Sequence, residues 1–379
     1  MIKSTQNSVF IVCGNHTNAH TLIQSLKDIG FGGRVIMVRS SKDPILLADR
    51  LNPRIEKWVL SEAEDDFLPE KISKTFSNGE TVYVAFTNER FHHSFADWKI
   101  GHPDDNINVR FGKPENISKI IDRFEFYKFI ESNKLAHVPK TISGESDPLS
   151  VFGNEFVVRP KESWQSTTHR EEVKIVRDRS DFAQTIKSFA SRGVGLDKLC
   201  FQELLSIENE SAVAIGGWFD LENKHLYCLR KRFQHPPGVG SGDVCERIAP
   251  PVGVMEQAVA ILRAFEYEGP LELEFVFDDN SGEYKVIEIN PRFWMQHGLI
   301  EQLSGHALLR RYIGEEPLAT SKYEPKYWVN TVQCLYRALK FEFGPLKYYL
   351  QKDTWAPYGL LQAIWYAPLH VLGKMVAKK

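Results

Sequence analysis

Residues 271–294 read LELEFVFDDNSGEYKVIEINPRFW, and apolar and polar residues alternate on both sides of the loop DDNSGE. Alternation of this kind is typical of half-buried strands, so the stretch predicts a β-hairpin. One face of this hairpin is apolar and is formed by Leu271, Leu273, Phe275, Phe277, Ile287 and Ile289. The opposite face carries three acids and an amide, Glu272, Glu274, Glu288 and Asn290.

The polar face brings carboxylates together across the two strands. If the loop has five residues, Glu274 lies opposite Glu288 and Glu272 lies opposite Asn290. Like charges in facing positions destabilise a sheet, and little is gained from them unless a cation lies between them. Because carboxylate and amide oxygens suit Mg²⁺ or Mn²⁺, we predict a metal site at Glu274, Glu288 and Asn290. The alternative is an exposed strand whose acids are merely solvated.

An arginine follows the hairpin directly. Pro291 ends the second strand and presents Arg292, and an arginine beside a metal fits a phosphate or acyl-phosphate ligand. The acidic strand at Glu274, followed by EINPR at 288–292, resembles the metal-binding hairpin of ATP-grasp ligases, which ends in an ExNPR sequence. The resemblance extends from the first strand to about residue 305.

The resemblance implies a fold of mixed class, α/β plus α+β. In the ATP-grasp fold an N-terminal parallel α/β domain precedes two α+β subdomains that hold ATP between them. The sequence has this order. A strand, a helix and a second strand are predicted by VFIVCGN at 8–14, a helical pattern from Thr17 and RVIMVRS at 34–40. Shorter strands follow from residue 155. The predicted domains are 1–115, 116–205, 206–315 and 316–379, the last being a mostly helical C-terminal extension.

The resemblance also places basic residues at the phosphates of ATP. The stretch ISKIIDRFEFYKFIESNKL, from 117 to 135, has helical periodicity, and its Asp122-Arg123 pair matches a DK pair of the family. The strand sequence VVRP at 157–160 matches VVKP. Arg123 and Arg159 thus stand where lysine is usual, and Lys161 is the alternative to Arg159 as the side chain that reaches the phosphates.

Two further strands, SAVAIGGWFD at 211–220 and HLYCLRKRF at 225–233, predict an antiparallel pair that turns at residues 221–224. In the family, the place that the second strand occupies carries a basic residue near the γ-phosphate or the acyl phosphate. Arg232 is the candidate, and Arg230, predicted on the same strand face, is the alternate. The glycines at 238, 240 and 242 then predict a mobile loop or a close approach of the backbone.

The segment FQELL at 201–205 resembles the hinge that binds adenine through its main chain, which makes Glu203, Leu204 and Leu205 candidate contacts of the base. Glu210 matches the acid that holds the ribose hydroxyls, and its alternative is a solvated loop acid. Residues 163–167, SWQST, fall where the family has a glycine-rich loop over the phosphates, and they contain no glycine. That departure leaves open how the phosphates are covered.

The resemblance is greatest to carboxylate–amine ligases, and it implies an ATP- and Mg²⁺-dependent enzyme. ATP would convert a small carboxylate into an acyl phosphate, and a small amine would then displace phosphate. The alternative is an ATP-binding regulatory or assembly protein of the same fold without ligase turnover, which the two arginines and the unusual 163–167 segment favour. A homodimer is a further possibility in this family.

The bulk composition limits the other classes of function. A content of 42% hydrophobic and 25% charged residues is typical of a folded domain, and a net charge of −2 gives no electrostatic argument for nucleic acid. The five scattered cysteines and a first apolar run too short for a signal peptide indicate a cytoplasmic protein. The tail, YGLLQAIWYAPLHVLGKMVAKK at 358–379, predicts either a docked helix or peripheral contact with a membrane surface.

Overall fold

The computed structural model describes residues 7–14, 17–40, 55–61, 64, 66–76, 79–162, 173–207, 211–235, 241–320, 324–357 and 359. Four predicted features therefore lie outside the described residues. These are the ribose contact Glu210, the segment 163–167, Gly238 and Gly240 of the predicted mobile loop, and the tail from residue 360.

The N-terminal region contains a five-stranded parallel sheet with strand order β3-β2-β1-β4-β5. This order confirms the predicted parallel α/β opening. Its elements are β1 (Ser8–Cys13), α1 (Thr17–Asp28), β2 (Arg34–Ser40), β3 (Glu56–Leu60), α2 (Leu68–Thr75), β4 (Thr81–Phe86), α3 (His92–Gly101) and β5 (Ile107–Asn108).

A pair of helices leads to a four-stranded antiparallel sheet with strand order β6-β9-β7-β8. The helical stretch predicted for 117–135 is divided, because Asp122 leaves the helical conformation and caps the second helix by accepting hydrogen bonds from the Phe124 and Glu125 amides. The elements are α4 (Ile117–Ile121), α5 (Arg123–Ser132), β6 (Thr141–Ser143), α6 (Pro148–Phe152), β7 (Phe156–Pro160), β8 (Lys174–Val176), α7 (Arg179–Ala190) and β9 (Leu199–Glu203).

The largest sheet has seven strands in the order β14-β13-β10-β11-β12-β15-β16. Its first part consists of β10 (Ala212–Phe219), β11 (Lys224–His235), β12 (Ser241–Ile248), α8 (Val254–Ala264), β13 (Gly269–Asp278), β14 (Glu283–Asn290), α9 (His297–Leu303) and α10 (Ala307–Tyr312). The predicted antiparallel pairing of β10 with β11 is confirmed.

The C-terminal part adds to the edge of this sheet. Its elements are β15 (Tyr327–Val329), α11 (Thr331–Ala338), α12 (Leu346–Tyr349) and β16 (Thr354–Trp355). Since β15 pairs with β12 and β16 pairs with β15, residues 324–357 extend the large sheet as well as supplying two short helices. A mostly helical extension is therefore not confirmed. Within the described residues, no helix combines the length and apolar character needed to cross a membrane.

The parallel sheet and the large sheet share their hydrophobic cores. Every residue of β1 is buried, as expected for a parallel strand that is covered on both faces. Alternate residues of β1 enter two clusters, one shared with α8, β10 and β13 and the other shared with α1, α9 and α10. The four-stranded sheet instead has a core of its own, which includes Phe156, Phe189 and Phe201. We call the four-stranded sheet, with this separate core, the small-sheet body. The site described below lies where the small-sheet body meets the large sheet.

The hairpin β13–β14 contains a bulge. Asp278 pairs with Glu283, Phe275 with Val286, and Glu274 with Glu288, so Ile287 is an extra residue in β14. The predicted facing pairs are confirmed, although the turn is shorter than the predicted five residues. The apolar face differs in one position, because fully buried Val286 occupies the place expected for Ile287, which is only half-buried.

Candidate functional site

The acids of the hairpin are buried. The side chains of Glu274 and Glu288 are 15% and 19% exposed, and Glu272 is 5% exposed as a whole residue. An exposed strand with merely solvated acids is therefore wrong. Since burying charged groups without partners costs several kcal/mol, the residues that contact these carboxylates decide what the site can do.

Glu288 is held between two arginines, Arg123 of α5 and Arg159 of β7. Its Oε1 lies 2.5 Å from Arg123 Nη2, and its Oε2 lies 3.5 Å from Arg159 Nη2. Arg123 is the first residue of α5, and its Nη1 donates to the carbonyl of Pro160 at 2.9 Å. Burial alone would raise the pKa of Glu288, but the two guanidinium groups outweigh it and lower that pKa to about 2. Glu288 is therefore ionised at neutral pH.

Glu274 is paired with Lys231 of β11, whose Nζ lies 2.5 Å from Glu274 Oε2. Burial opposes the charge on Lys231, while Glu274 and Glu272 raise its pKa above the ordinary lysine value. Lys231 was not among the residues predicted for the site. Its position follows from strand alternation, since β10 pairs Ala214 with both Glu274 and Leu229, and Lys231 lies two residues beyond Leu229 on the same face.

The two arginines predicted on this strand lie elsewhere. Arg232 is the extra residue of a bulge between Lys231 and Phe233, and its guanidinium pairs with Glu246. Arg230 lies opposite Glu246, the residue that Arg232 contacts, so both arginines reach the sheet face opposite to that of Lys231. The structure brings Lys231 to the hairpin carboxylates and places neither arginine in ion-pair contact with Glu272, Glu274 or Glu288.

A chain of polar contacts continues from Glu272 to the N-terminal sheet. Asn290 donates to Glu272 Oε2 at 3.1 Å and accepts from Arg292 Nη2 at 2.8 Å. Arg292 in turn lies 3.2 Å from Glu89 Oε1. Burial, reinforced by the neighbouring Glu274, raises the pKa of Glu272 to about 8. Glu272 is therefore largely protonated at neutral pH.

Glu89 and His92 bring the carboxyl end of β4 against the hairpin. His92 Nε2 lies 3.0 Å from the carbonyl of Pro291, and the Phe293 amide donates to the carbonyl of Phe86 at 3.1 Å. Burial lowers the pKa of His92 to about 4, so its ring is neutral near pH 7. Polar residues after a parallel strand commonly line ligand sites, and TNER at 87–90 was the signal in the sequence that could have identified this wall.

The residues predicted to bind the nucleotide make different contacts in the structure. Arg159 reaches Glu288, whereas Lys161 Nζ lies over the ring of Phe124 at 5.5 Å. The Glu203 carboxylate accepts from the Lys140 amide at 3.0 Å and lies 2.6 Å from Lys285 Nζ, which ties β9 to β14. Leu204 and Leu205 are half-buried and follow β9 as an irregular segment. Such a segment can offer main-chain groups to a ligand.

The donor set of the hairpin fits a hard cation bound with a nucleotide. Glu274, ionised Glu288 and the Asn290 carbonyl are oxygen ligands, and Mg²⁺ typically takes one or two protein carboxylates and completes its shell with phosphates and water. Among the described residues there is no cluster of three or more His, Cys, Asp and Glu placed to hold a metal by itself. The set therefore fits a metal that is shared with phosphates better than a self-sufficient metal centre.

Comparison with known sequences gives a local match over this site. A family described as "Carbamoyl-phosphate synthase L chain, ATP binding domain" matches residues 252–313, which span α8, the hairpin, α9 and α10. The carbamoyl phosphate synthase large chain of Methanothermobacter thermautotrophicus is 34% identical over 55 residues, which are 14% of this chain and 5% of that protein. This chain thus aligns with only a small part of that relative.

Comparison with solved structures extends over most of the chain. N5-carboxyaminoimidazole ribonucleotide synthetase from Thermus thermophilus has a TM-score of 0.59 at 16% identity, over 82% of this chain and 80% of that one. The L-amino acid ligase from Bacillus licheniformis has a TM-score of 0.61 at 13% identity, over 82% and 75%. The chain shares the fold of these two enzymes. At these identities the likeness of structure shows the fold alone, and the sequence match lies on the segment that contains β13 and β14.

A third structure shows how much of a longer enzyme this chain resembles. Pyruvate carboxylase from Rhizobium etli has a TM-score of 0.61 at 14% identity, over 81% of this chain but only 28% of that one. The chain therefore corresponds to about a quarter of that enzyme.

Proposed function

We propose that this protein belongs to the ATP-grasp family and is an ATP- and Mg²⁺-dependent ligase that activates a carboxylate as an acyl phosphate for attack by an amine. The observation that carries the proposal is the pair of buried carboxylates, Glu274 and Glu288, which face each other inside a ring of cations. A pair of facing carboxylates beside several fixed cations is suited to a metal–phosphate ligand.

The nucleotide would bind between the small-sheet body and the hairpin. Arg123 and Arg159, which now pair with Glu288, would pair with the phosphates of ATP, and the main chain of 203–205 would contact the adenine. Glu274, Glu288 and Asn290 would hold Mg²⁺, which supplies charge neutralisation at the phosphates. Glu210 as the ribose contact and Lys161 as a second phosphate ligand remain predictions.

The chemistry requires no nucleophile from the protein. A substrate carboxylate oxygen attacks the γ-phosphorus of ATP, the bond to the β-phosphate oxygen breaks, and ADP leaves. The amine nitrogen then attacks the acyl carbon, inorganic phosphate leaves, and the nitrogen loses a proton. Lys231 and Arg292 are fixed cations that would stabilise the negative charge on the transferring phosphoryl group and on the acyl phosphate. Arg232 and Arg230, predicted earlier for this role, remain secondary candidates.

The carboxylate and amine would enter from the side of the N-terminal sheet. Arg292 and its partner Glu89 join the hairpin to the carboxyl end of β4, and ligands of parallel α/β sheets commonly bind at this end. Small molecules are therefore the proposed substrates. A homodimer and a cytoplasmic location also remain predictions.

A second candidate is an ATP-binding regulatory or assembly protein without ligase turnover. It is favoured by the ion pairs themselves, since both oxygens of Glu288 contact arginines and Glu274 contacts Lys231. Metal binding has to compete with these pairs, and Arg123 and Arg159 hold a carboxylate with a different geometry from lysine.

Release of ADP and phosphate across a panel of carboxylates and amines separates the two candidates. The ligase requires release that depends on both substrates, whereas tight binding of Mg-ATP with no release under any pair would support the regulatory candidate. Glu288→Gln should abolish metal-dependent nucleotide binding. The matched control is Glu283→Gln, an exposed acid at the start of the same strand that pairs with His137.

A further inference from the structure

An exposed apolar segment follows α11. Residues 339–344, LKFEFG, are all exposed, and apolar side chains occupy every second position. We define the C-terminal patch as Leu339, Phe341, Phe343 and Leu350, the last of which lies at the end of α12 and is also exposed. Exposed apolar side chains concentrated in a short stretch of chain are uncommon on proteins that meet only water, and apolar surface of this kind marks interaction sites.

Phe341 is held in an unfavourable backbone conformation. Its φ is +63°, and it occupies the position after a helix where glycine is usual, with its amide donating to Ala338 and the next amide donating to Arg337. A residue with a Cβ costs free energy at such a φ, and Phe341 is also 86% exposed. Its ring lies edge-on to that of Phe343, which is itself exposed, so packing inside the fold does not offset the cost. Strained backbone positions of this kind are concentrated at functional sites.

The charges around the C-terminal patch are basic. Lys340 and Lys347 lie against the rings of Tyr336 and Tyr348, and Glu342 is paired with Arg337 at 2.8 Å. Residues 339–379 contain six lysines and two acids, although the whole chain has a net charge of −2. The tail from residue 360 adds Trp365, Tyr366 and many aliphatic residues to this basic end of the sequence.

We infer that the C-terminal patch binds the surface of a membrane that contains anionic phospholipid. Aromatic side chains with interspersed lysines are suited to the boundary between headgroups and acyl chains, where the rings enter the apolar layer and the ammonium groups meet phosphates. The chain's own tail and a second copy are less suitable occupants, because each would bring another basic segment against a basic surface. This inference is independent of the proposed ligase activity.

Cosedimentation of the full chain with vesicles tests the inference. The chain should bind vesicles of phosphatidylglycerol and phosphatidylcholine, bind phosphatidylcholine alone much more weakly, and lose binding as salt is added. The double variant Phe341→Gly/Phe343→Ser should lower the partition coefficient about tenfold or more, since each ring contributes a large apolar area. The control Leu221→Ser removes an equally exposed side chain from the turn between β10 and β11 and should change nothing.

Two further measurements test whether the C-terminal patch binds a membrane or only stabilises the fold. The single variant Phe341→Gly should raise the melting temperature, because glycine adopts this φ without strain, while it lowers vesicle binding. Hydrogen exchange at residues 339–344 should be slower with anionic vesicles than without them. Exchange that anionic vesicles do not slow, a dimer that the double variant dissociates, or equal binding by the wild-type chain and the double variant would each overturn the inference.

Discussion

Glu274 lies directly opposite Glu288 because Ile287 is an extra residue in β14. A regular ladder continued from the Asp278–Glu283 pair would place Glu288 opposite Leu273, on the apolar face of the hairpin. The bulge compensates for the short turn and also leaves the Ile287 carbonyl to accept from the Tyr127 hydroxyl of α5 and, at 3.5 Å, from Arg159 Nη1 of β7. One irregular residue thus aligns the two carboxylates and supports the contact of the hairpin with the small-sheet body.

The bulge predicts which apolar residue of β14 stabilises the core. Val286 is fully buried while Ile287 is half-buried, so Val286→Ala should destabilise the protein by about 2 kcal/mol and Ile287→Ala by about 1 kcal/mol or less. Urea unfolding measures both. Isoleucine loses more atoms than valine on truncation to alanine. If Ile287→Ala nevertheless lowered the free energy of unfolding more than Val286→Ala, the hairpin would have the regular alternation of its sequence and no bulge.

Lys231 and Arg232 are neighbours in the sequence with different partners, and this predicts different kinetics. Lys231→Met removes the cation from Glu274 and should lower kcat/KM by about a hundredfold or more. Arg232→Met removes a cation that pairs with Glu246 and should lower kcat/KM by less than about tenfold. ADP release with a productive pair of substrates measures both, and melting curves of the variants control for unfolding. A larger decrease in kcat/KM for Arg232→Met than for Lys231→Met would indicate that Arg232 is the residue at the phosphates.

The sequence predicted the parts of the site that depend on regular local geometry. Strand alternation and the EINPR motif identified Glu274, Glu288 and Asn290 as neighbours, and the structure brings Arg123 and Arg159 to them. Their roles in binding metal and nucleotide stay predictions.

The remaining differences come from irregular backbone and from distant contacts. The bulges at Ile287 and Arg232 change which side chains share a face, and no local residue pattern marked either one. The contacts of Glu89 with Arg292 and of His92 with Pro291 join residues about two hundred positions apart. Periodicity within one strand carries no information on such pairs.

The arginine pair around Glu288 predicts a specific loss of stability in acid. Because its folded-state pKa is lowered from 4.5 to about 2, ionised Glu288 stabilises the fold above about pH 4.5, and this contribution is lost as the pH falls toward 2. Glu288→Gln leaves Arg123 and Arg159 without their carboxylate and should cost about 3 kcal/mol at neutral pH.

Urea unfolding of Glu288→Gln and wild type across this pH range measures the effect. The difference in the free energy of unfolding between the two proteins should become smaller as the pH falls below about 4.5, because wild-type Glu288 then loses its charge too. Glu283→Gln, at an exposed position of β14, should show little difference from wild type throughout. A constant difference for Glu288→Gln would mean that the arginines do not stabilise the ionised form.

A second buried carboxyl lies away from the site, at the junction of α9 and α10. Glu301 is fully buried, its Oε1 accepts from the Leu309 amide at 3.0 Å, and its Oε2 has no hydrogen-bond partner among the described residues. His306 Nδ1 lies 4.0 Å from Oε2, and burial lowers the pKa of this histidine. Burial raises the pKa of Glu301 to about 8, and Asp28 contributes in the same direction.

Glu301→Gln should therefore make the protein more stable at alkaline pH. A raised folded-state pKa stabilises the fold below the unfolded value of about 4.5, and that stabilisation is lost as the pH rises through about 8. Glutamine keeps the shape without the charge, so the variant should match wild type near pH 5 and exceed it by roughly 2 kcal/mol near pH 9. Melting curves across this range measure the effect, with Glu256→Gln on the exposed face of α8 as the control. If the stabilities of wild type and Glu301→Gln changed with pH in the same way, Glu301 would be ionised in the folded protein across the whole range.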